Sequence, residues 1–346
     1  MDRVLNCMAH FFLYEWATGG GLVGEPGSLP PSLAREGATM VGALAADLVQ
    51  IAGAQVSVLR DPRVLELVVP GCEVIDVQSA AAHWDEIERL ASAADATFLV
   101  APEFDGILWK TARRVVACGG RLLTPSPDFI RIAADKHETC RRLAAAAVPV
   151  PEGIVLEPEQ KLPIDFAYPA VLKPVDGAGS QDTLLVASPH DEPPPYAWPR
   201  RLERFVPGLA ASVSLLCGPG NRLPLLPCRQ RISDDGRLRF LGGELPLADG
   251  LATRATALAE RAIAALPLAI GYVGVDLVLG HDPHGGDDVV IEVNPRLTTS
   301  YVGLRAAAQS NLAEAMLRIA HGESAAISFD ERPLEFDVDG HVSYMS

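Results

Sequence analysis

The sequence has no paired cysteine spacing. Its six cysteines stand at 7, 72, 118, 140, 217 and 228; no two form a CxxC and none lies beside a clustered pair of histidines. That argues against zinc and predicts small buried thiols in a reducing cytoplasm. No run approaches the eighteen or so apolar residues of a membrane span. The short apolar run at the start meets Glu15 and Trp16 where a signal peptide needs a small-residue cleavage site. A soluble, cytoplasmic protein with no membrane partner is expected. Positive charge is also scarce: 29 Lys and Arg against 44 Asp and Glu give a net charge of -15, which disfavours nucleic acid as a partner. A few placed cations still admit an anionic ligand. No nucleophilic Ser or Cys constellation occurs. The eight histidines are scattered, and His281 and His284 read as solvated loop residues.

What is present is an ordinary globular balance, 346 residues with 49 % apolar and 21 % charged, enough for two or three packed units. Up to about residue 124, strand-like runs at His10 to Tyr14, Gln55 to Leu59, Glu73 to Val77, Thr97 to Ala101 and Arg121 to Leu123 alternate with helical spacings. The pattern predicts a doubly wound parallel sheet of the α/β class, with α+β character in the C-terminal half. We divide the chain into an N-terminal α/β domain at 1–124, a unit carrying lysines and a glycine loop at 125–205, a unit carrying a carboxylate hairpin at 206–330, and a polar tail at 331–346.

Ligands bind beyond the carboxyl ends of such strands. There YEWATGGG offers Glu15 and Thr18 as polar contacts, with Gly19 and Gly20 for close backbone approach, and APEFDG offers Glu103 and Asp105. Each loop is equally readable as a tight turn. Residues 125–148 predict a helix whose second part is started by a capping box, Asp135 with Glu138, and Lys136 in its first turn opposes the helix dipole. In YPAVLKPVDGAGSQDTLLV, Lys173 ends a strand and Gly177, Gly179 and Ser180 form a loop before the next one. That order suits a flap whose amides and hydroxyl cover phosphates while the lysine neutralises them. Glu203 precedes Phe205 and Val206 at a hinge suited to the amino group and edge of an adenine.

The stretch from 271 to 300 reads as two strands joined by a polar loop, Gly280 to Asp288. Leu279 then faces Val289 and Asp276 faces Glu292. Alternation places Val275, Leu277, Leu279, Val289, Ile291 and Val293 on a core face, and Asp276, Glu292 and Asn294 on the other. Three hard oxygen donors fit a divalent cation; a solvated hairpin face is the alternative. A helix is expected over 301–321.

Taken in order, Lys136, Lys173 with GAGS, ERFV, and the pair VDLVL and IEVNPR resemble the ATP-grasp superfamily of carboxylate–amine ligases, across roughly residues 10 to 320. The resemblance implies an ATP-grasp fold and an ADP-producing ligase, with ATP and Mg2+ as cofactors and Mn2+ as an alternative ion. It implies Lys136 and Lys173 on ATP phosphates, Gly177, Gly179 and Ser180 in the phosphate flap, and Glu203 with Val206 on the adenine. Asp276, Glu292 and Asn294 would be the metal ligands, and Arg296, with Lys173, the catalytic cations. Within the superfamily, YEWATGGGL, APEFDGIL and IEVNPRLTTSYVGL are similar to the tyramine–glutamate ligase group of methanofuran biosynthesis. That likeness implies small-molecule partners, glutamate and an aromatic amine, tyramine or tyrosine. The acid would lie near Arg296, Thr298 and Thr299, and the amine towards Glu15, Thr18, Gly19 and Gly20. Rival expectations are a dipeptide ligase of the D-alanine type and a non-catalytic nucleotide-binding regulator. The sequence leaves a homodimer open.

Overall fold

A computed structural model describes residues 9–65 and 67–345. The first unit runs β1 (Ala9–Glu15), α1 (Pro31–Leu48), β2 (Ala54–Arg60), β3 (Glu73–Asp76), α2 (Ala80–Ala93), β4 (Ala96–Val100) and α3 (Ile107–Ala117). Its strands pair parallel in the order β3-β2-β1-β4. A parallel sheet must be covered on both faces, so its inner strands are apolar on both. Phe11, Leu13 and Val58 pack under Met40, Val41 and Leu44 of α1. Phe12, Tyr14, Leu59 and Leu99 pack on the other side against Ile87 of α2 and Leu108 and Val115 of α3. This is the doubly wound sheet that the alternation implies. The expected fifth strand, Arg121 to Leu123, makes only an isolated parallel bridge, Thr97 to Leu122. The ladder stops because the hydroxyl of Thr124, rather than a main-chain carbonyl, accepts the amide of Leu99 at 2.9 Å.

The predicted helix at 125–148 is two helices, α4 (Pro127–Ala134) and α5 (Lys136–Ala145). Asp135 between them is extended, and its carboxylate caps α5 by accepting the amide of Glu138 at 2.8 Å, as the capping box requires. Next come β5 (Gly153–Leu156), β6 (Ala170–Pro174), β7 (Leu184–Val186) and β8 (Arg200–Arg204), antiparallel in the order β5-β8-β6-β7. Leu156, Leu172, Val186 and Leu202 fill its small core.

The largest sheet uses β9 (Leu209–Cys217), β10 (Arg222–Pro224), β11 (Cys228–Ile232), β12 (Phe240–Leu245), then α6 (Asp249–Ala264), β13 (Gly271–Leu279), β14 (Val289–Asn294), α7 (Ser300–Ala307), α8 (Leu312–Ala320), β15 (Leu334–Asp337) and β16 (Val342–Tyr344). The antiparallel order is β14-β13-β9-β11-β12-β15-β16, with β10 also on β9. The helix expected over 301–321 breaks at 308–311, where Asn311 caps α8 through the amide of Glu314 at 2.9 Å. The stretch read as a polar tail supplies β15 and β16, and Leu334 and Phe336 are buried.

Asp47, near the end of α1, ties the first unit to this sheet. It is buried, and accepts from the Tyr301 hydroxyl at 2.6 Å and from Arg305 Nε at 2.7 Å, while its carbonyl accepts from Asn311 at 2.7 Å. Helix α7 and the start of α8 are thereby held against the first unit. Of the cysteines, Cys140, Cys217 and Cys228 are buried as expected, but Cys72 and Cys118 are half-buried; all five are free thiols, and Cys7 lies outside the described residues. No helix among the described residues is long and apolar enough to cross a membrane.

Candidate functional site

Strands β13 and β14 bring the predicted carboxylates together. Asp276 pairs with Glu292, and Gly274 with Asn294. Asn294 donates to Asp276 Oδ2 at 2.9 Å and Gln230, on β11, donates to Oδ1 at 2.8 Å. Burial, and then the charge of Glu292, push the Asp276 carboxyl up to about 7. A site that penalises the charge of Asp276 this way, and offers two carboxylates and an amide, is suited to a hard divalent cation.

One part of the sequence-based register is corrected. The ladder shifts between Asp276 and Leu277, so Leu277 faces Val290 and Val278 faces Val289, rather than Leu279 facing Val289. Ile291 is the extra residue. A bulge reverses the alternation beyond it, so Val290, not Val289 or Ile291, joins Val275, Leu277, Leu279 and Val293 in the core. Ile291 is left on the wall of a cavity of about 360 Å³.

That cavity lies between the two antiparallel sheets and gathers most of the predicted residues: Lys136, Lys173, Gly177, Gly179, Ser180, Glu203, Val206, Asp276, Glu292, Asn294, Arg296, Thr298 and Thr299 all line it. Val171, Phe205, Val278 and Ile291 make its apolar part. Lys136 is far from the solvated lysine its position at a helix start suggests. It is 7 % exposed, and its Nζ meets Glu292 Oε1 at 2.9 Å and donates to the carbonyl of Gly177 at 2.7 Å. Burial disfavours its charge, yet Glu292 overcomes that and its pKa is raised. Lys173 Nζ lies 2.5 Å from Glu203 Oε1, while Arg201 Nε donates to Glu203 Oε2 at 2.8 Å. Arg201 is itself held by the carbonyl of Pro151 and by His137. All three charges are buried. Such a cluster holds position because breaking it strands a charge.

The glycine loop is positioned from both sides. Asp176 accepts the amide of Asp105 at 3.1 Å, and Arg200 donates to the carbonyl of Asp182. Gly179 and Ser180 both have positive φ, 65° and 58°, a conformation that costs a serine energy. Among the described residues, the amides of 177 to 180 have no protein acceptor, so they are available to an anion.

Arg296 stands at the inner end. It is 8 % exposed and forms a two-pronged pair with Glu103, Nε to Oε1 at 2.9 Å and Nη2 to Oε2 at 3.2 Å, while Nη1 donates to the carbonyl of Leu297. A guanidinium has five N–H groups, so two remain for a ligand. Burial opposes its charge, but Glu103 more than compensates and its pKa is raised.

A second cavity, of about 340 Å³, opens on the other side of Arg296, over the carboxyl ends of β1 and β4. The two share Glu36, Arg296, Phe240, Thr183 and the glycine loop from Gly179 to Gln181. The first loop of the chain enters it only in part. Glu15 lines the cavity, yet its Oε1 accepts from the amide of Ala17 and its Oε2 from the amide and hydroxyl of Thr18. Burial raises its pKa against those hydrogen bonds, with the charge of Glu36 adding to the rise. Thr18 is fully buried, and Gly19 and Gly20 lie outside both cavities. Their glycines serve the turn: a Cβ on Gly19 would stand 2.3 Å from the carbonyl of Glu15, and Gly20 has φ 95°. Glu36 gives no sequence signal, since it sits in a helix of mixed polarity; Gln230 lies in a short polar run, Arg229 to Arg231, that carries no motif.

The ATP-grasp domain family matches residues 133–300, and the pre ATP-grasp 3 domain family matches residues 54–130. The chain belongs to the ATP-grasp superfamily, and its class is that of the ATP-dependent carboxylate–amine ligases. It is similar to the tyramine–L-glutamate ligase of Methanocaldococcus fervens, 28 % identical over 245 residues, covering 71 % of this chain and 72 % of that one. The tyramine–L-glutamate ligase of Methanocaldococcus jannaschii is likewise 28 % identical, over 71 % and 68 % of the two chains. Among solved structures, an ATP-grasp superfamily protein from Archaeoglobus fulgidus superposes with a TM-score of 0.71 at 24 % identity, covering 95 % and 92 %.

Proposed function

We propose that the protein joins L-glutamate to an aromatic amine, tyramine or tyrosine, through an acyl phosphate, with ATP and a magnesium ion. The observation that carries this reading is the meeting of two cavities at Arg296. One is lined by lysines, a glycine loop and an apolar slot, a set suited to a nucleotide, the other in part by apolar side chains such as Leu33, Met40 and Phe104.

A carboxylate cannot expel oxide, so it must first take a phosphoryl group. Its oxygen attacks the γ-phosphorus of ATP, the bond to the bridging oxygen breaks, and ADP leaves an acyl phosphate. Lys136, Lys173 and Arg296 offset the charge that gathers during transfer, and the amides of 177 to 180 offer N–H groups to the phosphates. Magnesium on Asp276, Glu292 and Asn294, with manganese as a substitute, would neutralise phosphate charge there. Val206 and Glu203 face the adenine in this reading, and Thr298 and Thr299 the glutamate. The amine enters from the second cavity, past Glu15. It attacks the carbonyl carbon, phosphate departs, and an amide forms.

The test is ADP release from the purified protein with ATP, magnesium, an acid and a panel of amines. ADP that needs both glutamate and an aromatic amine supports the reading. Release with D-alanine alone would replace it with a dipeptide ligase, and nucleotide binding without turnover on any pair would refute ligation of these substrates.

A further inference from the structure

Most of the charges around the second cavity already have a partner. Arg296 is matched by Glu103, Arg35 by Asp339 and Arg239 by Asp235, and both oxygens of Glu15 are taken by its own loop. Glu36 is different. It is half-buried on α1, it lines both cavities, and no cation among the described residues lies within ion-pair distance of it. Its Oε1 receives one hydrogen bond, from Thr299 Oγ1 at 3.1 Å. Its Oε2 turns towards the glycine loop, 3.9 Å from where a Cβ on Gly179 would stand. Its place is therefore the point where an amine from the second cavity must approach an acyl phosphate held at Arg296. The four arginines and four carboxylates that line this cavity balance in number, but Arg35, Arg239 and Arg296 are paired with other carboxylates and none lies within ion-pair distance of Glu36, whose charge is left for a cationic ligand.

We propose that Glu36 is the carboxylate that binds the ammonium group of the amine substrate, so that the second cavity selects primary ammonium compounds over neutral nucleophiles of the same shape. This rests on the ligase reading above. The proton balance is simple. The ammonium yields one proton to the Glu36 carboxylate, which frees the lone pair and is relayed to solvent. The nitrogen yields the second as the C–N bond forms and the C–O bond to phosphate breaks, and phosphate leaves as hydrogen phosphate.

The test uses the full chain with ATP, magnesium and glutamate, and offers either tyramine or hydroxylamine, which is uncharged at neutral pH and traps an acyl phosphate as a hydroxamate. For Glu36→Gln, the KM for tyramine should rise about 10- to 100-fold, the range of a lost charge-assisted hydrogen bond. Hydroxamate formation should fall far less, and Glu36→Asp should lie between. An unchanged KM for tyramine, or equal losses with both nucleophiles, overturns the assignment while leaving the ligase reading intact. A wild-type protein inert towards every cationic amine overturns both. One measurement needs no variant: the alcohol isostere of tyramine should fail to compete with it, and competition equal to that of tyramine itself also overturns the assignment.

Discussion

Replacing Arg296 by alanine removes two things at once, and the structure allows them to be separated. The first is the pair with Glu103, which is 3 % exposed and has no other cation within ion-pair distance among the described residues, although Lys136 lies near enough to feel its charge. Stranding a buried carboxylate costs about 3–5 kcal/mol, a fall in melting temperature on the order of 5–10 °C for a chain of this size. The second is the charge that stands opposite the transferring phosphoryl group in the proposed reaction, and its loss should lower turnover by about 10² to 10³. The double variant Arg296→Ala with Glu103→Gln removes the stranded charge. It should regain more than half of the lost stability and none of the turnover. Thermal melting without nucleotide reads the first effect, coupled ADP release the second, and ATP binding should survive in both variants. Turnover of Arg296→Ala within about tenfold of wild type, or recovery of turnover in the double variant, would show that Arg296 is a tie between two units and nothing more.

The raised pKa of Asp276 sets a pH dependence for the proposed metal site. In the unfolded chain this carboxyl loses its proton near 4, and in the fold near 7. Between those values the native state holds the extra proton, so metal-free stability falls as pH rises, and the same proton competes with the cation. Magnesium should therefore raise the melting temperature more at pH 8 than at pH 6, with apparent affinity weakening about tenfold per unit below about 7; an equal shift at both values, or one that persists in Asp276→Asn, would remove Asp276 from the metal site. Gly37 lets α1 pass against Glu15, since a Cβ there would lie 2.4 Å from the Glu15 carboxylate. Gly37→Ala should cost about 1–3 kcal/mol by overpacking and should raise the KM for the amine more than that for ATP, whereas melting at the wild-type temperature would show that the helix simply moves aside.

Features with a short period were readable in the chain, and features that depend on distant pairing were not. The alternation of β13 and β14 gave away Asp276 opposite Glu292, because pairing places them side by side on one face. The bulge at Ile291 escaped notice, since valine and isoleucine look alike on either side of a strand and only the register tells them apart. Lys136 was suspect because it sat where a helix resists a cation, but its burial against Glu292 depended on a strand more than 150 residues away. Glu103 was visible at a strand end, and nothing in its own loop pointed to Arg296. The glycines after Glu15 looked like a ligand cradle, and they are a turn that folds around its own carboxylate.

The two strands at the end of the chain carry a consequence of their own. Val338 and Asp339, in the turn between β15 and β16, line the second cavity, and Asp339 reaches Arg35 on α1 at 2.9 Å. Apart from Glu15, Arg296 and the glycine loop, the wall of the second cavity, which faces the amine in the proposed reaction, is thus assembled from stretches near 35, 100, 240 and 338, none of which carries a proposed metal ligand or phosphate-binding lysine. A lineage can remodel the acceptor by drift in a terminal hairpin and leave the energy-coupling half of the enzyme untouched. Among relatives, the C-terminal turn is then a better place to look for a change of amine than the motifs by which the superfamily is recognised.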